Sequence, residues 1–182
     1  TAVDQMARAA EVPGAFPEQA PIQLLISAYR SKFTSLSRDQ LVLHITADFL
    51  ALSVNHELCH AVDLLSAEPE VLESWMSGGF AWVVMEARAL LAGGGGATNA
   101  EQAACWWYLM YAQLRSKKSQ LPVLGALGNF FRTVSPNQLV ADGTDISAEL
   151  WRLRDMTPAE LRRMVAATLK RMNEQRGELL VE

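Results

Sequence analysis

The chain has 182 residues, of which half are hydrophobic and a fifth are charged, and its formal net charge is −4. This balance is typical of a folded globular protein and excludes an intrinsically disordered chain. The length suits one well-buried core, so we expect a single domain over residues 1–182. No apolar run reaches the roughly 18 residues needed to cross a bilayer, so the sequence predicts no membrane span.

The cysteines and the distribution of charge bear on location and partners. Cys59 and Cys105 stand alone in apolar surroundings, which indicates free thiols in a reducing compartment and favours a cytoplasmic protein. Between Asp39 and Glu101 there are nine acidic residues and one basic residue, whereas residues 102–141 carry four basic residues and no acidic one. We interpret these stretches as two solvated faces, because four cations over 40 residues are too few to favour a nucleic-acid partner.

Helix signals follow one another along the chain, and no stretch has the alternating pattern of a β-strand hairpin. The predicted helices cover about 3–11, 21–32, 37–66, 70–76, 80–92, 98–116, 122–132, a short segment from 135, 145–155 and 157–176. Residues 1–20 are expected to be a loosely attached segment, and the glycine-rich residues 93–97 a flexible connector. The sequence therefore predicts an all-α bundle of about six to nine helices, with the long helix at about 38–66 in its centre.

Three capping boxes mark where helices begin. In each box a serine or threonine hydroxyl and a side chain three residues later satisfy each other's backbone N–H groups. The pairs are Ser37 with Gln40, Thr98 with Glu101, and Thr157 with Glu160.

His56-Glu57-Leu58-Cys59-His60 is the motif with a defined chemistry. On a helix, His56 and His60 lie one turn apart on the same face and can bind one Zn²⁺. Glu57 lies about 100° around the helix and can act as a general base toward an attacking water. Together with Ala61-Val62, the motif resembles the active-site helix of thermolysin-type zinc peptidases over seven residues. The resemblance implies a zinc-dependent hydrolase that takes its third protein ligand, a glutamate, from a later helix.

Glu86 is the best candidate for that third ligand. It lies 26 residues after His60, in the middle of the apolar helix predicted at 80–92. A carboxylate in such surroundings requires a cation. Asp63 and Glu73 are weaker candidates.

Other features favour buried structural histidines, or another kind of metal site using the same pair. Thermolysin-type peptidases carry a β-sheet whose edge strand aligns the substrate, and this sequence predicts no sheet. His56 and His60 align with Ile45 on the core stripe of their helix, whereas His44 points to solvent. We therefore expect both histidines to be largely buried, with a Glu86 carboxylate that does not approach both closely enough to share a metal.

The most aromatic stretch predicts an interaction surface. Trp106 and Trp107 are adjacent, so on a helix they point about 100° apart and one core face does not easily take both. Aromatic anchors followed by a cation are typical of partner surfaces. We expect this surface to comprise Trp106, Trp107, Tyr111 and Arg115, and to bind a protein partner or a second copy of the chain.

Two functions follow from these patterns. The first is a non-catalytic helical interaction or regulatory module that self-associates, as a dimer, and holds no cofactor. The alternative is a zinc-dependent hydrolase with Glu57 as catalytic base and with His56, His60 and Glu86 as metal ligands.

Overall fold

The computed structural model describes residues 20–77, 80–115, 120–134, 150, 154 and 156–174. These residues form seven α-helices and contain no β-strand, which confirms the predicted all-α class. In chain order the helices are α1 (Ala20–Lys32), α2 (Arg38–Ser66), α3 (Pro69–Met76), α4 (Phe80–Gly95), α5 (Ala100–Arg115), α6 (Gln120–Val134) and α7 (Pro158–Glu174). The helices predicted at 3–11 and from 135, nearly all of 145–155, and the N-terminal segment before Ala20 lie outside the described residues.

Two helices begin at the predicted capping boxes. At the start of α2 the Ser37 amide donates to Gln40 Oε1 at 2.9 Å, and the Gln40 amide donates to Ser37 Oγ at 3.3 Å. At the start of α7 the Thr157 amide donates to Glu160 Oε2 at 2.9 Å, and the Glu160 amide donates to Thr157 Oγ1 at 3.2 Å. Since these contacts involve only neighbouring residues, the local sequence is enough to determine them.

The cap of α5 is shifted by one residue from the predicted position. The Gln102 amide donates to Asn99 Oδ1 at 2.9 Å, while the Thr98 amide donates to Gln102 Oε1 at 2.9 Å. Glu101, the predicted capping partner, is buried and pairs with Lys32 of α1 at 3.2 Å. A long-range ion pair therefore takes the glutamate away from the cap, and an asparagine replaces the threonine.

The helices α4 and α5 lie at the centre of the bundle. The helix α4 packs against α2, α3, α5, α6 and α7, and α5 contacts α1, α2, α4, α6 and α7. The longest helix, α2, lies at the side of the bundle rather than in its centre. Its inner face packs Leu41, Ile45 and Leu52 against the core, and its opposite face is exposed.

Among the described helices, none has both the length and the apolar character of a membrane-spanning segment.

The glycine run is not the predicted flexible connector, because α4 continues through Gly95. A Cβ atom on Gly94 would lie 2.6 Å from the indole of Trp106 in α5, and one on Gly95 would lie 3.1 Å from Val165 Cγ1 in α7. Glycine costs about 1 kcal/mol relative to alanine inside a helix. Close packing of α5 and α7 against α4 offsets that cost, so the glycines lie where these helices cross.

A polar network ties α2 to α1 and α5. The buried Tyr29 hydroxyl donates to Asp48 Oδ2 at 2.6 Å, and Gln102 Nε2 donates to Asp48 Oδ1 at 2.9 Å. Burial, reinforced by the nearby Cys105 and Asp48, raises the pKa of the Tyr29 phenol well above its usual value, so it stays a donor. Asp48 is thus directed toward the bundle and away from the exposed face of α2.

Candidate metal centre

The two histidines of the motif face α4 from one side of α2. His60 is buried, with 8% of its surface exposed, and His56 is half-buried. Their rings meet edge to face, with centroids 4.7 Å apart, and their Nε2 atoms are 3.1 Å apart. The prediction that these histidines lie on the inner side of the helix is confirmed, as is the exposure of His44.

Glu86 of α4 completes the cluster. Its Oε1 lies 3.2 Å from His60 Nε2, and its Oε2 lies 3.6 Å from His56 Nε2. The expectation that Glu86 does not approach both histidines is therefore wrong. The short helix α3 returns the chain so that α4 packs antiparallel to α2, with Glu86 beside His60 and the Ala89 backbone hydrogen-bonded to His56. No β-sheet is needed to bring the three donors together.

The spacing of the three donor groups is close to that of ligands around one tetrahedral zinc. Ligand atoms bonded to zinc at about 2.0–2.1 Å lie about 3.3–3.4 Å from one another in a tetrahedron. Here the two Nε2 atoms are 3.1 Å apart, and each contacts a different oxygen of Glu86, His60 at 3.2 Å and His56 at 3.6 Å. In the described part of the chain, this is the one group of three histidine, cysteine, aspartate or glutamate side chains whose donor atoms all lie within 4.8 Å of one another.

The electrostatics of the cluster favour neutral imidazole at His56. Burial and the neighbouring His60 lower the pKa of His56, whereas Glu86, Glu57 and the hydrogen bond to the Ala89 backbone act in the opposite direction. Neutral imidazole is the form that binds a metal. The hydrogen bond to Ala89 also fixes the orientation of the ring, as outer hydrogen bonds do for metal-binding histidines.

The cluster remains accessible to water on one side. The side chains of His56 and Glu86 are 21% and 24% exposed, and that of His60 is 10% exposed. Glu57, the predicted general base, is exposed on the adjoining face of α2. Catalytic zinc sites likewise combine three protein donors with access for water.

A buried ion pair fixes α2 against α4 next to the cluster. Asp63 is 1% exposed, and its two oxygens lie 3.0 and 3.1 Å from Nη2 and Nε of Arg88. Arg88 also donates to Asn173 of α7. Asp63 follows His60 by three residues and Arg88 follows Glu86 by two, so the pair sets the register of the two helices at the cluster.

This ion pair was not predicted from the sequence, although a signal for it was present. Arg88 is the single basic residue between Asp39 and Glu101, so a buried acid on a neighbouring helix has few other partners. The pairing also shows why Asp63 is not the third ligand of the histidines. Glu73, the other weak candidate, is exposed on α3 and lies outside the cluster.

The predicted aromatic surface requires a correction. Trp106 and Trp107 are buried in the chain's own core, at 1% and 4% exposure. Each indole satisfies its one donor, since Trp106 Nε1 donates to the Leu90 carbonyl at 2.8 Å and Trp107 Nε1 to the Leu150 carbonyl at 2.6 Å. The assumption that one core face cannot take both side chains fails because α5 is surrounded by helices on several sides.

The rest of the predicted surface does not replace these anchors. Tyr111 is half-buried and stacks on Trp107, with ring centroids 5.7 Å apart. The side chain of Arg115 lies outside the described residues.

Comparison with known protein families, with curated proteins and with solved structures found no match to this chain. The function of the chain is therefore inferred from the geometry of the cluster.

Proposed function

We propose that this protein is a zinc-dependent hydrolase in which His56, His60 and Glu86 bind the metal and Glu57 is the general base. The observation that carries the proposal is the convergence of two imidazole Nε2 atoms and one carboxylate, from two helices, at 3.1–3.6 Å. A bound cation stabilises nitrogen and oxygen donors that converge on one point in this way.

Two imidazoles with one carboxylate are a donor set that suits zinc. When bound, zinc supplies Lewis acidity, which polarises a carbonyl and lowers the pKa of a water. The chain itself contributes the proton transfer. Glu57 directly follows His56 and is exposed, so its carboxylate can accept the proton of the attacking water and return it to the leaving group.

The alternative of a non-catalytic module bound through the aromatic stretch has less support. Its surface was expected to present Trp106 and Trp107, and both are buried within the chain. We therefore assign the reaction class as metal-assisted hydrolysis of an amide or ester.

The test is metal analysis of protein purified without a histidine tag, followed by hydrolysis assays on an unfolded protein such as casein. We expect one zinc per chain in the wild type and in Glu57→Gln, and no stable zinc in His60→Ala. Glu57→Gln is expected to lose turnover by about 10²–10⁴-fold, because only the proton acceptor is removed.

His44→Ala is the matched control, since it removes an exposed histidine from the same helix. It is expected to keep both zinc and activity. A wild-type chain that retains no zinc after loading and dialysis would overturn the metal site. A Glu57→Gln variant as active as the wild type would overturn the catalytic role of Glu57.

A further inference from the structure

The face of α2 that points away from the core is apolar along almost the whole helix. Six large apolar side chains of α2 are 57–90% exposed; Val62 lies to one side, and the other five form one line with two exposed alanines. In order they are Leu43, Ala47, Leu50, Val54, Leu58, Ala61 and Leu65, which we call the outer stripe. A helix that is apolar on both faces is normally covered on both.

The outer stripe reads the same in both directions. Its residue types run Leu, Ala, Leu, Val, Leu, Ala, Leu, and the spacings between them are 4, 3, 4, 4, 3 and 4. The centre of this symmetry is Val54. If a second α2 packs antiparallel with Val54 on a two-fold axis, each leucine of the stripe lies opposite a leucine, each alanine lies opposite an alanine, and Val54 lies opposite its own copy. A two-fold interface requires this self-complementarity, in which each residue's partner has that residue as its own partner.

The outer stripe contains no ionisable side chain. Asp48 is directed inward to Tyr29 and Gln102, and Asp63 to Arg88. Between Leu43 and Leu65, only His44 and Glu57 remain as exposed ionisable residues, and both lie at the edges of the stripe. The face therefore has no cluster of like charges to keep two copies apart, and no lysine or arginine with which to hold an anionic membrane surface or an acidic partner.

We propose that the outer stripe is the seam of an antiparallel homodimer of this chain. The stripe extends over 22 residue steps, which is about 33 Å of helix at about 1.5 Å per residue. The pairing places Leu43 opposite the partner's Leu65, Leu50 opposite the partner's Leu58, and Val54 opposite itself. This inference does not depend on the proposed hydrolase, because no residue of the outer stripe belongs to the proposed zinc site.

Sedimentation equilibrium of the full chain tests the oligomeric state. We expect a dimer at micromolar concentration for the wild type. Val54→Glu puts two like charges together on the axis, so the dissociation constant is expected to rise by at least about tenfold. Ser53→Glu is the control, since it adds the same charge at the neighbouring exposed position, outside the stripe, and should leave the dimer intact. Circular dichroism should be unchanged in both variants, because both positions are exposed.

Cysteine cross-linking tests the direction of the pairing. Under mild oxidation, Val54→Cys is expected to give a covalent dimer. Leu43→Cys alone is not, because the two copies of residue 43 lie about 33 Å apart. A mixture of Leu43→Cys and Leu65→Cys chains should cross-link.

Several outcomes would overturn the proposal. These are a wild-type monomer, a Val54→Glu variant that dimerises as tightly as the wild type, and self-cross-linking of Leu43→Cys, which indicates parallel helices. A monomeric wild type that sediments with phosphatidylserine vesicles would assign the stripe to a membrane surface instead.

Discussion

At the scale of single residues, Asp63 and Arg88 form a buried ion pair beside the candidate metal centre. Their side chains are only 2% and 12% exposed, and their atoms meet in two short contacts. A buried pair of this kind adds little net stability over an apolar pair, but removal of one partner leaves an uncompensated buried charge. Because the pair lies beside His60 and Glu86, its loss also affects how these donors meet.

We predict that Asp63→Asn lowers the free energy of unfolding by about 3–5 kcal/mol. It should also weaken zinc binding by about 10–100-fold, as loss of outer support does at other metal sites. Urea denaturation and metal titration measure the two effects. Lys170→Met is the control, since Lys170 pairs with Glu174 on the surface at 3.8 Å, with 79% and 64% exposure. That change should stay within about 0.5 kcal/mol. An Asp63→Asn variant as stable as the control would contradict the role of the pair.

At the scale of helices, the C-terminal end of α4 shows that close packing can outweigh a low intrinsic helix propensity. The glycines from Gly93 to Gly95 lower the helix propensity of this segment, yet the helix continues through them. Their missing side chains let α5 and α7 approach the backbone of α4. Since Glu86 lies on the same helix, this crossing also anchors the element that carries the third ligand.

We predict that Gly94→Ala destabilises the fold by about 1–3 kcal/mol, because the new Cβ lies 2.6 Å from the Trp106 indole. That indole is held by its bond to Leu90 and cannot easily move. Gly125→Ala in α6 is the matched control. Its Cβ lies 3.6 Å from Ala87, an ordinary contact, so the better helix propensity of alanine should stabilise by about 0.5–1 kcal/mol. Thermal unfolding of both variants gives the comparison. Equal effects of the same sign would show that Gly94 is not a packing position.

The sequence was sufficient to predict features that depend on neighbouring residues. The boxes at Ser37 and Thr157 were predicted correctly because a cap involves residues three apart. The glycine segment and the tryptophan pair were predicted wrongly, because the surroundings of Gly94 and Trp107 come from helices distant in the chain. The local sequence predicts where a helix forms, but it does not predict which other helices pack against it.

The candidate site also combines features that the local sequence predicts with features that depend on tertiary packing. His56, Glu57 and His60 follow from the motif, and Glu86 was the preferred third ligand because it stands in an apolar helix. Whether its carboxylate reaches both histidines depends on how α4 packs against α2, which no local pattern determines.

At the scale of the whole molecule, the proposed metal joins two helices that are otherwise held by packing and by one ion pair. A ligand that binds only the folded chain stabilises it in proportion to its concentration relative to the dissociation constant. The metal cluster should therefore respond to zinc as a stabilising cross-link between α2 and α4.

We predict that zinc at about 100 times its dissociation constant stabilises the fold by about 2.7 kcal/mol. For a chain of this size, that corresponds to a rise in Tm of roughly 5–11 °C. Differential scanning calorimetry with and without zinc measures the shift, and EDTA should reverse it. His56→Ala lacks one donor and should show no shift. A similar rise in that variant would indicate zinc binding elsewhere on the chain.

The short sequence separation of the metal donors has a consequence for biosynthesis. The segment from His56 to Glu86 contains 31 residues. The enclosing helices α5, α6 and α7 follow it, and the last of them ends at Glu174. A ribosome that adds about 5–20 residues per second needs roughly 4–18 s to proceed from Glu86 to Glu174. The helices that carry the donors are therefore synthesised before the helices that enclose them, and they can pair as a local hairpin. Contacts between segments so close in the chain form quickly during folding. Binding of the proposed zinc can thus precede closure of the bundle.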